Sequence, residues 1–200
     1  MGYPKSDLVD SPSLEKHVQE LRAQFNFKYN FSILYAPSWE NDGKEDDFVC
    51  ALSSLPVNLL IKQAHWPAGY EHIIHNIEQM RAMHENKYDN VYYVEPTESI
   101  ITALKLCDMV VSDESSVMVE ALMFHKPSIA VIDWLIPDTT PARHAIVPMD
   151  CVVKCKKVQL REYAEKMFSN PSYYHSILEK GEVEDRLMPI SDIITLIDEV

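Results

Sequence analysis

The chain has 200 residues, 46% of them hydrophobic, which suits one soluble globular domain and leaves no room for a second full one. Its formal net charge of -13 excludes a general nucleic-acid or anionic-lipid surface, since Lys154, Lys156 and Lys157 form the densest basic run. The polar opening MGYPKSDLVD is unlike a secretory signal, and no apolar run reaches the roughly 20 residues that span a bilayer, so the chain is expected in the cytosol.

In chain order, a helix is predicted over 13–25 behind the Ser-Pro start SPSLEK, then a strand FSILYA and a helix over 46–55. A strand VNLLIK, a helix within 70–84 and a strand VYYV follow. Next come a helix over 97–106 opened by PTES, the strand CDMVVS, a helix over 116–124, and the strands PSIAVI and CVVKC. From Leu160 onward the pattern is helical.

Short apolar runs alternating with helix-length stretches predict an α/β fold: a Rossmann-like parallel sheet of about six strands flanked by helices, with a helical C-terminal segment. The long connection over 132–148 contains Pro137, Pro141 and Pro148 and is expected to be irregular. It leaves the carboxyl end of a strand, where open α/β sheets place ligands. Cys50, Cys107, Cys151 and Cys155 lie in or beside apolar runs, and CVVKC has no second cysteine pair, so all four read as reduced structural residues.

The seam between CDMVVS and the helix after it carries the chemistry. Asp113, Glu114 and Ser115 form its turn, and amides at the following helix start, with the positive end of the helix dipole, suit a phosphate. Ser115 and Ser116 can cap the helix or donate to phosphate oxygens. Glu120, one turn beyond Ser116, is placed to accept bonds from a ribose diol, so the seam points to a nucleoside diphosphate. The competing reading makes one serine a plain cap and Glu120 a solvated helix residue.

Other loops at the same sheet edge add Ser38 and Trp39 from YAPSWE, and Lys62 and His65 from IKQAHWP. Against a ligand role, Lys62 reads as a strand-end lysine, His65 as a loop histidine packed beside Trp66, and Trp39 as a loop anchor. Arg143 and His144 are the basic groups of the Pro-rich loop, and a loop arginine is ordinarily solvated. The absence of G-x-G-x-x-G, Walker A and G-x-S-x-G patterns removes the main warrants for an oxidoreductase, a P-loop NTPase and a serine hydrolase.

These residues resemble the nucleotide-binding half of GT-B-fold transferases, and most closely the CDP-glycerol glycerophosphotransferases of teichoic-acid and capsule-type polymers. GYPKSD resembles that family's G-x-P-R-x-D, ILYAPSW its strand ending in A-P-T-W, and LLIKQAHWP its I-K-x-H-P. DMVVSDESSVMVEALMFHKPSIAV is similar to its D-x-x-I-T-D-Y-S-S-V-x-F-E stretch followed by K-P, and GEVEDRL to a closing G-x-A-x-x-R-I. The resemblance implies that Ser115 and Ser116 hold the donor pyrophosphate, Glu120 the ribose, and His65 the phosphate or its transition state, with Ser38, Lys62 and Arg143 as further donor contacts.

Residues 1–200 then form a single donor-nucleotide-binding domain, with 1–12 an inter-domain linker remnant and 160–200 a helical tail. The implied reaction transfers a glycerol-phosphate-type group from a CDP-linked donor, itself a substrate, to a polymer or glycan acceptor, with no cofactor and no metal. The family's acceptor-binding amino-terminal half is not in this sequence, so the chain is expected to be inactive alone. A longer protein is expected to sit at the inner face of the plasma membrane.

Two alternatives remain at this point: a UDP-sugar-dependent GT-B glycosyltransferase half, and a non-catalytic nucleotide-binding domain. Glu114 stands where the family has tyrosine, so a phosphate site requires its side chain to turn away.

Overall fold

The computed structural model describes Val9 and residues 11–40, 43–84 and 86–182. The GYPKSD motif therefore lies outside the described residues, as does GEVEDRL beyond Glu182.

Helix α1 (Pro12–Phe25) leads into β1 (Ser32–Tyr35), α2 (Lys44–Leu52), β2 (Asn58–Lys62), α3 (Glu71–His84) and β3 (Val91–Val94). Helix α4 (Ile100–Leu106), β4 (Met109–Ser112) and α5 (Val117–Glu120) follow, with α5 tightening into a 3-10 turn over Ala121–Phe124. Strand β5 (Ser128–Val131), the short strands β6 (Leu135–Ile136) and β7 (Arg143–His144), β8 (Val153–Cys155), α6 (Leu160–Ser169) and α7 (Pro171–Glu182) complete the order.

Six strands form one parallel sheet in the order β3-β2-β1-β4-β5-β8. The chain builds outward from β1 to β3, crosses back through α4, and builds the other way from β4. Strands β1 and β4 thus flank the point where the order reverses, the place where such sheets open a ligand crevice.

Side chains alternate across the sheet, and both faces are covered. Ile33, Tyr35, Leu59, Ile61, Met109 and Val111 pack with Phe48 and Leu52 of α2 and with Leu160 and Met167 of α6. Leu34, Leu60, Val110 and Ala130 face the other way, against Val18 of α1, Leu104 of α4 and Met118 of α5. Burial on both sides is why the central strands read as unbroken apolar runs.

Helix ends depart from the sequence reading for local reasons. Helix α2 starts at Lys44 because Gly43 takes a positive φ of 83° just before it, and it stops at Leu52, ahead of the turn before Pro56. Helix α4 starts at Ile100 because the Ser99 hydroxyl accepts the Ile101 amide at 3.2 Å, which makes Ser99 the cap. The Pro-rich connection is not wholly irregular: β6 and β7 pair antiparallel within it. Cys50 is exposed on α2, while Cys107, Cys151 and Cys155 are buried, and all four are free thiols. Among the described residues no helix is long and apolar enough to cross a membrane.

Candidate functional site at the strand-order reversal

The loop leaving β1 and the turn leaving β4 meet at the reversal point, and one side chain joins them. Asp113 is wholly buried, and its Oδ1 accepts the Ser38 amide at 2.8 Å, the Ser38 hydroxyl at 2.9 Å and the Glu114 amide at 2.6 Å. Its Oδ2 accepts the Lys44 ammonium at 2.7 Å, and that lysine is itself only 2% exposed. Burial opposes ionisation of Asp113, but the Lys44 charge and these donors outweigh it and hold the carboxyl below its ordinary pKa. The Ser112 hydroxyl adds a 2.6 Å bond to the Ala36 carbonyl.

This frame presents the two serines. Ser116 is exposed and Ser115 half-buried. The Ser115 hydroxyl accepts the Val117 amide at 3.4 Å and its carbonyl accepts the Met118 amide at 3.3 Å, which ties Ser115 to the first turn of α5. Glu120 is one turn on, its amide bonding the Ser116 carbonyl at 3.1 Å, but it is buried (4% exposed) where Ser116 is open. The solvated alternative for Glu120 therefore does not hold, and the two residues do not share an exposed face.

Glu114 turns away from the serines. It forms a two-pronged ion pair with Arg143 at 2.7 and 2.6 Å and accepts the Ile146 amide at 2.9 Å. The Arg143 hydrogen bonds lower the Glu114 pKa, and Arg143 also holds Asp138 at 2.6 Å. Arg143 is thus not the unengaged cation expected from sequence: it compensates Glu114 and ties the Pro-rich connection to the turn after β4.

The β2 loop lies one strand away. Lys62 is buried, and its ammonium donates to the carbonyls of Gln63 at 2.8 Å and Pro96 at 2.9 Å, with burial lowering its pKa. It braces the ends of β2 and β3 instead of forming a surface charge. His65 is exposed and lines a groove of about 320 Å³ with Trp66, Ile74, Ile77, Arg81 and Pro96. Its loop is linked to the β1 loop through Glu40, which accepts the Ala64 amide at 3.0 Å, and through Trp39 and Trp66, whose ring centroids are 5.7 Å apart.

The sequence reading brought Ser38, His65, Ser115 and Ser116 to one sheet edge; the structure joins Ser38 to the turn bearing Ser115 and Ser116 through Asp113 and leaves His65 one strand away, and that reading gave no role to Asp113, Lys44 or Glu40. The D in S-D-E-S-S was the available signal for Asp113; Lys44 lies 69 residues away with no motif to mark it. Among the described residues no group of three or more His, Cys, Asp or Glu side chains could hold a metal ion.

Solved structures share this architecture. The wall teichoic acid polymerase TagF soaked with CDPG matches at 17% identity and TM-score 0.60, over 90% of this chain and 43% of its own. Anabaena HepE in complex with UDP and glucose matches at 19% identity and TM-score 0.64, over 99% and 54%. The UDP-GlcNAc 2-epimerase of Neisseria meningitidis matches at 15% identity and TM-score 0.57, over 86% and 44%. These likenesses establish the fold as one half of a GT-B architecture, and the chain spans about half the length of each of these structures. No curated protein matches. The family model for CDP-glycerol:poly(glycerophosphate) glycerophosphotransferase matches residues 1–136, and with the DESS turn and the Ser38 loop inside that span, the chain belongs to this family.

Proposed function

We propose that this chain is the donor-nucleotide-binding domain of a glycerophosphotransferase and holds a CDP-linked alcohol in the crevice between β1 and β4. The observation that carries this reading is the Asp113 frame: a buried carboxylate ties the Ser38 loop to the turn bearing Ser115 and Ser116, while Arg143 pairs the neighbouring Glu114. Family membership and the likeness to a polymerase soaked with CDPG support the choice of donor.

In the proposed reaction an acceptor hydroxyl attacks, in line, the phosphorus bearing the alcohol, and the P–O bond to CMP breaks. Ser115 and Ser116 donate to the pyrophosphate as charge develops on the leaving CMP. His65 approaches the transferred phosphoryl group, and Glu120 orients the ribose. The acceptor is a polymer or glycan presented by a second half of the crevice, and the domain alone binds donor without turning it over.

A UDP-sugar donor is the second reading, favoured by the likeness to HepE with UDP and glucose. Calorimetric titration of CDP, UDP and CDP-glycerol into the wild-type chain and a Ser115→Ala/Ser116→Ala variant at low salt separates the two. Selective CDP binding that the variant loses supports the proposal. UDP preference moves the assignment to glycosyl transfer, and binding that survives the double substitution removes the crevice from the donor site.

A further inference from the structure

The end of α3 carries a charge cluster that the candidate site does not use. His84, the last residue of α3, is 1% exposed, and its two ring nitrogens face different carboxylates. Nε2 lies 3.0 Å from Asp46 Oδ1, while Nδ1 lies 3.0 Å from the Tyr93 hydroxyl and 3.3 Å from Glu45 Oε1. Glu45 in turn accepts the side-chain amide of Gln63, which follows β2 and stands two residues before His65.

The protons available to these groups define the state of the ring. A hydroxyl has one proton, and that of Tyr93 goes to Glu45 at 2.6 Å, so the Tyr93 oxygen meets Nδ1 as an acceptor and Nδ1 carries a hydrogen. Asp46, held below its ordinary pKa by the His84 bond, only accepts, from Nε2 and from the Cys50 thiol at 3.3 Å. Nε2 therefore carries a hydrogen too, and only the imidazolium has both.

The elements around the ring agree with that charge. Helix α2 supplies Glu45 and Asp46, and β3 supplies Tyr93. The turn after α3 supplies Tyr88, whose ring centre is 6.1 Å away, and Lys87, which acts on Asp46. Arg81, one turn back on α3, lies over the Tyr93 ring at 5.1 Å, and α1 contributes only the uncharged Phe25 to the void beside His84. A cation in the last turn also suits the negative end of the helix dipole. Burial opposes ionisation of His84, but the bonds to Glu45 and Asp46 outweigh it and raise its pKa.

We propose that His84 is a positioning residue: as an imidazolium it bonds Glu45 and Asp46 at once, and through Glu45 it fixes Gln63 at the root of the loop that bears His65. When the ring loses a proton, one nitrogen presents a lone pair to an oxygen, and the anchor of Gln63 loosens. The fastening is complete below the ordinary histidine value of about 6.5 and is lost as pH rises through the raised folded value. His84 touches no reacting atom, and its effect on a ligand rests on the proposed function.

The test is nitrogen-proton NMR of the histidine rings and of the Gln63 side-chain amide, in wild type and Asp46→Asn, from about pH 6 to 10. Asp46 is partly exposed, so this variant spares the core, and thermal unfolding verifies that it is folded. Both His84 nitrogens are expected to be protonated at about pH 7.5, where an ordinary histidine is neutral. Asp46→Asn should lower the His84 midpoint by about one unit, and the Gln63 signals should follow that midpoint. CDP-glycerol affinity relative to CDP, titrated in parallel, should fall several-fold as His84 loses its proton, because only CDP-glycerol carries the group that His65 approaches.

A bare ring nitrogen at about pH 7.5 would put the proton on Glu45 and overturn the proposal. So would Gln63 signals that ignore the His84 titration, a midpoint unmoved in Asp46→Asn, or an affinity ratio that stays level. If CDP-glycerol binds at no pH while the spectra behave as expected, the fastening stands and the proposed function falls.

Discussion

The floor and the rim of the candidate site are built by opposite means. On the floor, Asp113 and Lys44 form an ion pair with side chains 0% and 2% exposed, enclosed by the ends of β1 and β4. At the rim, Glu114 and Arg143 form a geometrically better, two-pronged pair with side chains 18% and 30% exposed. Desolvation decides what each pair does. A buried pair becomes indispensable once formed, because removing one partner strands the other, whereas a rim pair is screened by water and adds little to stability. The floor therefore sets geometry, and the rim sets the local charge that the proposed phosphate ligand would meet.

The largest expected effect tests the floor. Lys44→Met should destabilise the domain by about 3–5 kcal/mol in urea unfolding, because Asp113 is left buried without its cation. Adding Asp113→Asn should recover part of that loss. A Lys44→Met variant with wild-type stability would mean that the pair is not the frame described here.

Next comes the surface the floor presents. Ser115→Ala/Ser116→Ala should weaken CDP binding about 10- to 100-fold, since the substitution removes the two hydroxyls proposed to donate to the charged ligand. Stability should fall by no more than about 1 kcal/mol, the ordinary worth of a helix cap. Equal losses of stability and affinity would instead make the serines part of the floor.

At the rim, Arg143→Ala should change stability by less than about 1 kcal/mol and weaken CDP binding a few-fold, with the deficit shrinking as salt is added. The pH dependence has a definite sign. Arg143 depresses the Glu114 pKa, so the pair's contribution is complete above the ordinary carboxylate pKa and lost as pH falls through the lower folded value. Denaturation between about pH 5 and 2 should show wild type losing an increment that Arg143→Ala never had. The smallest effect is expected at exposed His65, where His65→Ala should leave stability within about 0.5 kcal/mol of wild type. Any larger change would place that side chain in the fold instead of the site.

The same contrast explains what could be read from the sequence. All six sheet strands were legible: the four central ones, buried on both faces, leave continuous apolar runs such as NLLIK and MVVS, and the half-covered edge strands β3 and β8 still carry the apolar runs VYYV and CVVKC. Strands β6 and β7 were not, since two-residue strands inside a Pro-rich connection carry no periodicity. Helix limits slipped where one residue decided them, Gly43 before α2 and Ser99 before α4. The placement of Ser38, Ser115 and Ser116 at the strand-order reversal was legible because each follows a strand within a motif. Lys44 and Glu40 were not: a lysine on a helix and a glutamate in a loop look solvated until the tertiary structure buries them.

The Glu114–Arg143 pair also has an energetic consequence. Glu114 occupies the place where the family pattern has a tyrosine, and its compensating arginine lies 29 residues on, in a different loop. Neither change is neutral alone: glutamate without the arginine sets an uncompensated negative charge beside the proposed phosphate site, and arginine without the glutamate loses two of its hydrogen bonds. The two side chains should therefore be coupled in a double-mutant cycle, and the size of that coupling measures how firmly the Pro-rich connection is bound to the DESS turn.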